Sequence, residues 1–185
     1  MKYLLAFIFI SFSFAPTKTN RQLFDDFHTI FAKADFKAMD TLLADRFVGL
    51  NESGGVGFKR AEYIEYMAGW NQAFKTKWNV VSIEEDGNFI KSVEYDTDIW
   101  NDYFYDGIKK TKYIYSFSND KIATIQVDTV AGAAQIELAA GVRFRKFYKW
   151  VAFNFPEKMK VIDKQDKASA METKMVFEKY LVANK

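Results

Sequence analysis

The chain has 185 residues, 49% of them hydrophobic and 18% aromatic, with a formal net charge of +2 and no cysteine. That apolar share suffices for a real core in one domain with an appendage, and the small net charge argues against nucleic acid or another polyanion as partner. Without cysteine there is no disulfide, no thiolate nucleophile, no cysteine-ligated zinc and no lipobox attachment site.

Met1-Lys2-Tyr3 is followed by the apolar run Leu4–Phe14, one early cation and then a stretch of signal-peptide length, too short to span a bilayer. Residues 1–15 are expected to be a secretory signal and 16–20 a polar linker, which places the protein in the periplasm or outside the cell. Pro16 directly after the small residue Ala15 leaves the cleavage position open.

From Arg21 onward, Leu23, Phe24, Phe27, Ile30, Phe31 and Ala34 fall on one stripe of a core-facing helix. A second helix is expected after Asp35 as N-cap, turning Met39, Leu42 and Leu43 inward and ending at Ala44-Asp45-Arg46. Phe47–Leu50 reads as a short strand entering the glycine-rich hairpin Asn51–Gly57. No GKS or GxGxxG pattern accompanies those glycines, so a turn is expected rather than a phosphate cradle. A third helix, Phe58–Phe74, carries Tyr63, Met67, Trp70 and Phe74 about one turn apart on one side.

The longest sheet signal follows. Trp78–Glu85, Phe89–Tyr105, Lys110–Ser118 and Ile122–Val130 read as four strands joined by the turns Asp86-Gly87-Asn88, Asp106-Gly107 and Asn119-Asp120, an antiparallel meander. Alternation along the second strand puts Glu94, Asp96, Asp98, Trp100 and Asp102 on one face and Tyr95, Thr97, Ile99, Asn101 and Tyr103 on the other. The carboxylate row reads as the solvated face, with a raised-pKa acid or a metal cluster as the alternative. No metal or cofactor is expected, since a cluster of that kind usually recruits histidine and the chain has only His28, which reads as a structural hydrogen-bonder.

The order of these elements resembles the nuclear transport factor two-like superfamily, which includes ketosteroid isomerases and SnoaL-type polyketide cyclases. The likeness rests on two short helices, the phrase Leu42-Leu43-Ala44-Asp45-Arg46-Phe47 leading to a glycine hairpin, a third helix ending near a tryptophan, and a meander whose third turn reads Phe117-Ser-Asn-Asp-Lys-Ile122. It covers about residues 21–130. It implies an α+β fold in which a strongly bent antiparallel sheet wraps three N-terminal helices into a cone with an apolar pocket, commonly dimerising through the sheet. On the isomerase pattern, Asn51 stands where the general-base aspartate would be and Phe27 where the oxyanion-stabilising tyrosine would be, so steroid-type isomerisation is not implied; a slip of one residue would bring in Glu52 or His28.

Beyond the domain, residues 131–185 are expected to form a mostly helical extension packed on the domain or on a partner subunit. Ala131–Ala140 and Ala168–Val182 read as helices, and Gly141–Phe155 fits either strand or helix. Its apolar material calls for cover by the outer sheet face, the pocket mouth or a second subunit. Arg143–Lys149 would suit a membrane surface, although membrane contact is not expected.

For the site, Trp70, Tyr63, Tyr95, Tyr103, Tyr113 and Asn51 are expected to line a pocket for a small apolar or aromatic molecule, because such side chains join flat apolar area to a few polar tips. Asp98, Glu52 and His28 are the candidate catalytic groups. Three functions suit this pattern: a secreted small-ligand-binding protein, a lyase, isomerase or cyclase using a pocket carboxylate, and a non-catalytic interaction module.

Overall fold

The computed structural model describes residues 18–107, 109–162, 164 and 166–184. The expected signal segment and the start of the linker lie outside the described residues.

Helix α1 (Asn20–Ala32) begins at a reciprocal cap. Thr19 Oγ1 accepts from the Gln22 N–H at 3.1 Å, and Gln22 Oε1 accepts from the Thr19 N–H at 2.9 Å. Its Leu23, Phe24, Phe27 and Phe31 are buried, as their spacing requires. Burying each such side chain contributes roughly 1.5–3 kcal/mol. Helix α2 (Phe36–Leu42) starts at Asp35, whose carboxylate accepts from the Ala38 N–H at 3.0 Å.

Strand β1 (Leu43–Leu50) follows at once. It absorbs Leu43-Ala44-Asp45-Arg46, expected to close the helix, because Leu43 is drawn into register with Ile122 and both are fully buried. The glycine hairpin leads to β2 (Val56–Lys59), and α3 (Arg60–Phe74) ends in Lys75 with a left-handed φ of 57°. The remaining strands are β3 (Lys77–Asp86), β4 (Phe89–Thr97), β5 (Lys110–Ser118) and β6 (Lys121–Asp128).

The six strands form one curved sheet in the order β2-β1-β6-β5-β4-β3. The β3–β6 meander is antiparallel throughout, and the Asn119-Asp120 turn takes φ of 52° and 56°, as a tight hairpin demands. The sheet as a whole is mixed, however, since β1 runs parallel to β6. Register breaks between Val80 and Ser82 and between Ser116 and Phe117 add local bend. The concave face closes over α1, α2 and part of α3 around Phe27, Met39, Phe47, Ile90, Tyr115 and Ile122.

One expected strand divides. Phe89–Tyr105 runs as strand only to Thr97; Asp98 then caps helix α4 (Ile99–Tyr105). A strand would send Tyr103 away from Trp100 and Phe104, whereas a helix gathers all three at i, i+3 and i+4 on one side. They meet in a second apolar cluster.

That cluster is what the C-terminal segment completes. Helix α5 (Ala133–Asn154) is continuous through the stretch that suited strand or helix, and Pro156 opens the short turn beyond it. Helices α6 (Met159–Ile162) and α7 (Lys167–Ala183) follow. Helix α7 packs on α3 and α5 packs on α4, so the extension covers the far side of α3 and builds a second core with it. Gly69 permits the closest approach: a Cβ there would lie 2.5 Å from Lys167 Cα.

Candidate functional site

Three N-terminal helices cannot fill the concavity of a bent six-stranded sheet, and a cleft remains between α3, α4 and the inner faces of β3, β4 and β5. Helix α3 contributes Tyr66, Met67 and Trp70; β3 contributes Trp78; β4 contributes Asp96; α4 contributes Trp100 and Tyr105; and β5 contributes Thr111 and Tyr113. Trp78 and Asp96 are cross-strand partners, so their side chains rise from the same face of the sheet. This chamber holds about 260 Å³.

A second chamber of about 270 Å³ shares Tyr66, Met67, Trp78 and Tyr113 as a common wall. Its remaining lining includes Gly49, Asn51, Phe58, Tyr63, Ile125 and Val127, and holds no charged group. The Trp78 indole N–H, at the boundary, is buried without a hydrogen-bond partner in the structure. The rings form an almost continuous wall. Trp70 meets Trp100 edge-on at 5.5 Å, Tyr66 lies 5.9 Å from Trp70, and Trp78 lies 5.4 Å from Tyr113.

Asp96 is the titratable acid of the first chamber. Burial, the first cause, and the negative charges of Asp98 and Glu94 push its carboxyl up to about 7, with Lys109 pulling the other way. Burial also raises the Tyr66 phenol to about 12 and the Tyr113 phenol well above its ordinary range, so both stay neutral donors at physiological pH. Lys109 sits at the rim, 2.5 Å from Glu137 on α5 and 4.7 Å from the centre of the Tyr105 ring. A group near neutrality inside an aromatic cavity can anchor a polar ligand atom or carry a proton between ligand atoms.

The structure sorts the residues expected at the site. Trp70, Tyr113, Tyr63 and Asn51 line the two chambers. Asn51 also organises its hairpin, its Oδ1 accepting from the Ser53 and Gly55 N–H groups at 3.1 and 2.9 Å. Tyr95 does not line them, because the register turns the even-numbered residues of β4 inward. Tyr103 belongs to the second core, its hydroxyl 3.0 Å from that of Tyr180.

The three candidate catalytic groups lie outside the cleft lining. Asp98 is a saturated cap, accepting from the N–H groups of Trp100 and Asn101 at 2.9 and 2.8 Å, from Thr76 Oγ1 at 2.6 Å and from Asn101 Nδ2 at 3.0 Å. Glu52 is exposed near the hairpin tip. His28 Nδ1 lies 2.9 Å from the Phe24 carbonyl and Nε2 lies 3.1 Å from Glu94.

Glu94 corrects the expectation of a solvated carboxylate face. It is fully buried and accepts from Tyr115 OH at 3.0 Å and from Ser92 Oγ, besides facing His28. Three converging partners let the core hold this carboxyl. Tyr66, Trp78 and Lys109 are cleft residues that pattern reading did not single out, and Asp96 figured there only as one of the carboxylate row. The available signal was Ile90, an apolar residue sharing its face with Ser92, Glu94 and Asp96.

The profile of the SnoaL-like domain matches residues 21–103. No curated protein matches the chain. Among solved structures, an uncharacterised cystatin-fold protein from Novosphingobium aromaticivorans shares 14% identity with a TM-score of 0.51, over 60% of this chain and 99% of that one. A nuclear transport factor two-like protein of unknown function from Cytophaga hutchinsonii shares 19% identity, over 62% of this chain and 92% of that one, with a TM-score of 0.48. A SnoaL-like polyketide cyclase from Agrobacterium tumefaciens shares 12% identity, over 65% and 98%, with a TM-score of 0.49. At such identities the likeness is one of fold.

Proposed function

We propose that the protein, whose residues 21–103 match the model of the SnoaL-like domain, binds a small ring-bearing or apolar organic molecule in the cleft, with Asp96 as its polar anchor. The carrying observation is the placement of one near-neutral carboxyl in a chamber of about 260 Å³ walled by Tyr66, Trp70, Trp78, Trp100, Tyr105 and Tyr113. The unpaired Trp78 N–H supplies a donor for a ligand acceptor atom. Flat rings supply apolar area and few polar groups fix orientation, the usual division of labour in a small-molecule site.

A pool of small ring-bearing compounds, tested by native mass spectrometry and thermal shift, checks this reading. A ligand that raises the melting temperature of the wild type and fails to do so in Tyr113→Ala supports it; a pool that leaves the melting temperature unmoved and yields no bound species sinks it. The second reading, proton transfer of the isomerase, lyase or cyclase kind, is favoured by the poise of Asp96. A turnover rate that rises with pH through about 7 and is lost in Asp96→Asn would carry it.

Export and pairing through the sheet belong to the same proposal. Leu4–Phe14 supports export, and periplasmic fractionation of the tagged chain tests it. Light scattering on the purified protein tests pairing.

A further inference from the structure

Resting on the reading of the cleft as a ligand site, we infer that its occupant is a substituted ammonium cation bearing an apolar group, the cation seated among the rings beside Asp96 and the apolar group in the adjoining chamber.

The two chambers differ in what they offer. Around Asp96 stand the faces and edges of Tyr66, Trp70, Trp78, Trp100 and Tyr113, and no arginine. Such rings turn negative quadrupoles toward a guest and attract an alkylated ammonium that has little hydration to lose. Behind the wall, Glu94 and Asp98 add negative charge. Both are already committed, Glu94 to Tyr115, Ser92 and His28, and Asp98 to Thr76 and the start of α4, so they contribute field without taking a ligand atom.

The facing cation is Lys109, and it is already matched by Glu137 at 2.5 Å. Among the described residues lining this chamber, the other elements contribute neutral phenols: Tyr66 from α3, Tyr113 from β5 and Tyr105 from α4. Once Asp96 is ionised the site therefore lacks one positive charge, and its walls are of the kind that accept one. An anionic ligand would meet the opposite field. The second chamber, with Phe58, Tyr63, Ile125 and Val127, has no partner for charge and fits an apolar substituent.

Proton linkage gives the sign of the pH dependence. A bound cation favours ionised Asp96, so binding releases a proton; affinity is flat above about 7 and declines below it.

The test is a titration of the full chain with benzyltrimethylammonium and with its uncharged carbon analogue neopentylbenzene, read by tryptophan fluorescence and native mass spectrometry. The cation is expected to bind about tenfold or more tightly than the neutral analogue at pH 8, and to lose about tenfold between pH 8 and pH 5. Asp96→Asn is expected to shrink the cation's advantage and to abolish its pH dependence; Trp70→Leu weakens the cation more than the neutral analogue. Equal or tighter binding of the neutral analogue at pH 8 overturns the cation and leaves the ligand-site reading standing. Binding of neither overturns the inference as well, and the compound pool described above then decides the cleft separately.

Discussion

The two apolar clusters are built differently, and the difference explains where the cleft lies. The first is enclosed by a curved sheet on one side and helices on the other, and holds a buried polar group, Glu94, with its His28, Ser92 and Tyr115 partners. The second is wholly helical and ring against ring: Phe104 stacks on Phe144 at 4.0 Å and lies 5.5 and 5.8 Å from Phe177 and Phe147. Helices can slide and tilt until their side chains interlock, whereas a sheet's curvature is set by its hydrogen bonds and bulges. The hollow therefore remains on the sheet side. Trp100 joins the two, lining the cleft with one part of its ring system and meeting Phe147 and Phe177 at 5.6 and 5.1 Å.

If the second core holds α4 in place, breaking it should also loosen the cleft. Phe104→Ala removes a fully buried ring and is expected to cost about 3–5 kcal/mol, the largest effect here. Chemical denaturation measures the loss, and hydrogen exchange at α4 and α7 should accelerate more than at β5 and β6. Equal acceleration everywhere would mean that the two clusters form one cooperative unit.

Gly69→Ala attacks the same seam from α3. The added methyl meets the Lys167 backbone, which cannot rotate away, so α7 must shift at a cost of roughly 1–3 kcal/mol in the melting free energy.

The first core has its own signature in pH. The Asp96 carboxyl is raised from 3.8 to about 7 by burial, so between those values the folded chain holds a proton that the unfolded chain has released. Stability from this group is full below about 4, falls as pH rises, and is gone above about 7. Asp96→Asn should flatten that slope, matching the wild type near pH 4 and exceeding it by up to about 4 kcal/mol at pH 8, about 1.4 kcal/mol for each unit between the two values. Denaturation midpoints across the range decide this, and a parallel wild-type and variant profile would contradict it. Far from both cores, Lys18→Ala breaks a 2.6 Å surface pair with Asp26 and should change stability by less than about 0.5 kcal/mol.

Much of the first core was legible in local pattern. The α1 stripe, the Asp35 cap, the Asp86–Asn88 and Asn119–Asp120 turns and the aromatic run of α3 each follow from local spacing, whereas Asp106-Gly107 ends helix α4 instead of joining two strands. The β4 face was not legible. Glu94 and Asp96 look like solvent-facing residues, and what brings Glu94 inside are His28, 66 residues away, and Tyr115, 21 away. The switch to helix at Asp98 was equally hidden, because alternation and a helical start share the same Asp-x-Trp spelling until an apolar cluster exists for Trp100, Tyr103 and Phe104 to join. Of the cleft lining, Trp70, Tyr63, Tyr113 and Asn51 were picked out by residue type, while the inward turn of Asp96 and Trp78 needed the register.

By itself the sequence determined what neighbours along the chain can settle: helix stripes, caps, hairpin turns, the α+β class and the aromatic supply for a pocket. Tertiary structure decided which face of β4 looks inward, that Asp98 caps α4, and that the C-terminal helices close on α3 and α4. A buried carboxyl or a helix start depends on partners delivered from distant segments, and no local periodicity records their arrival.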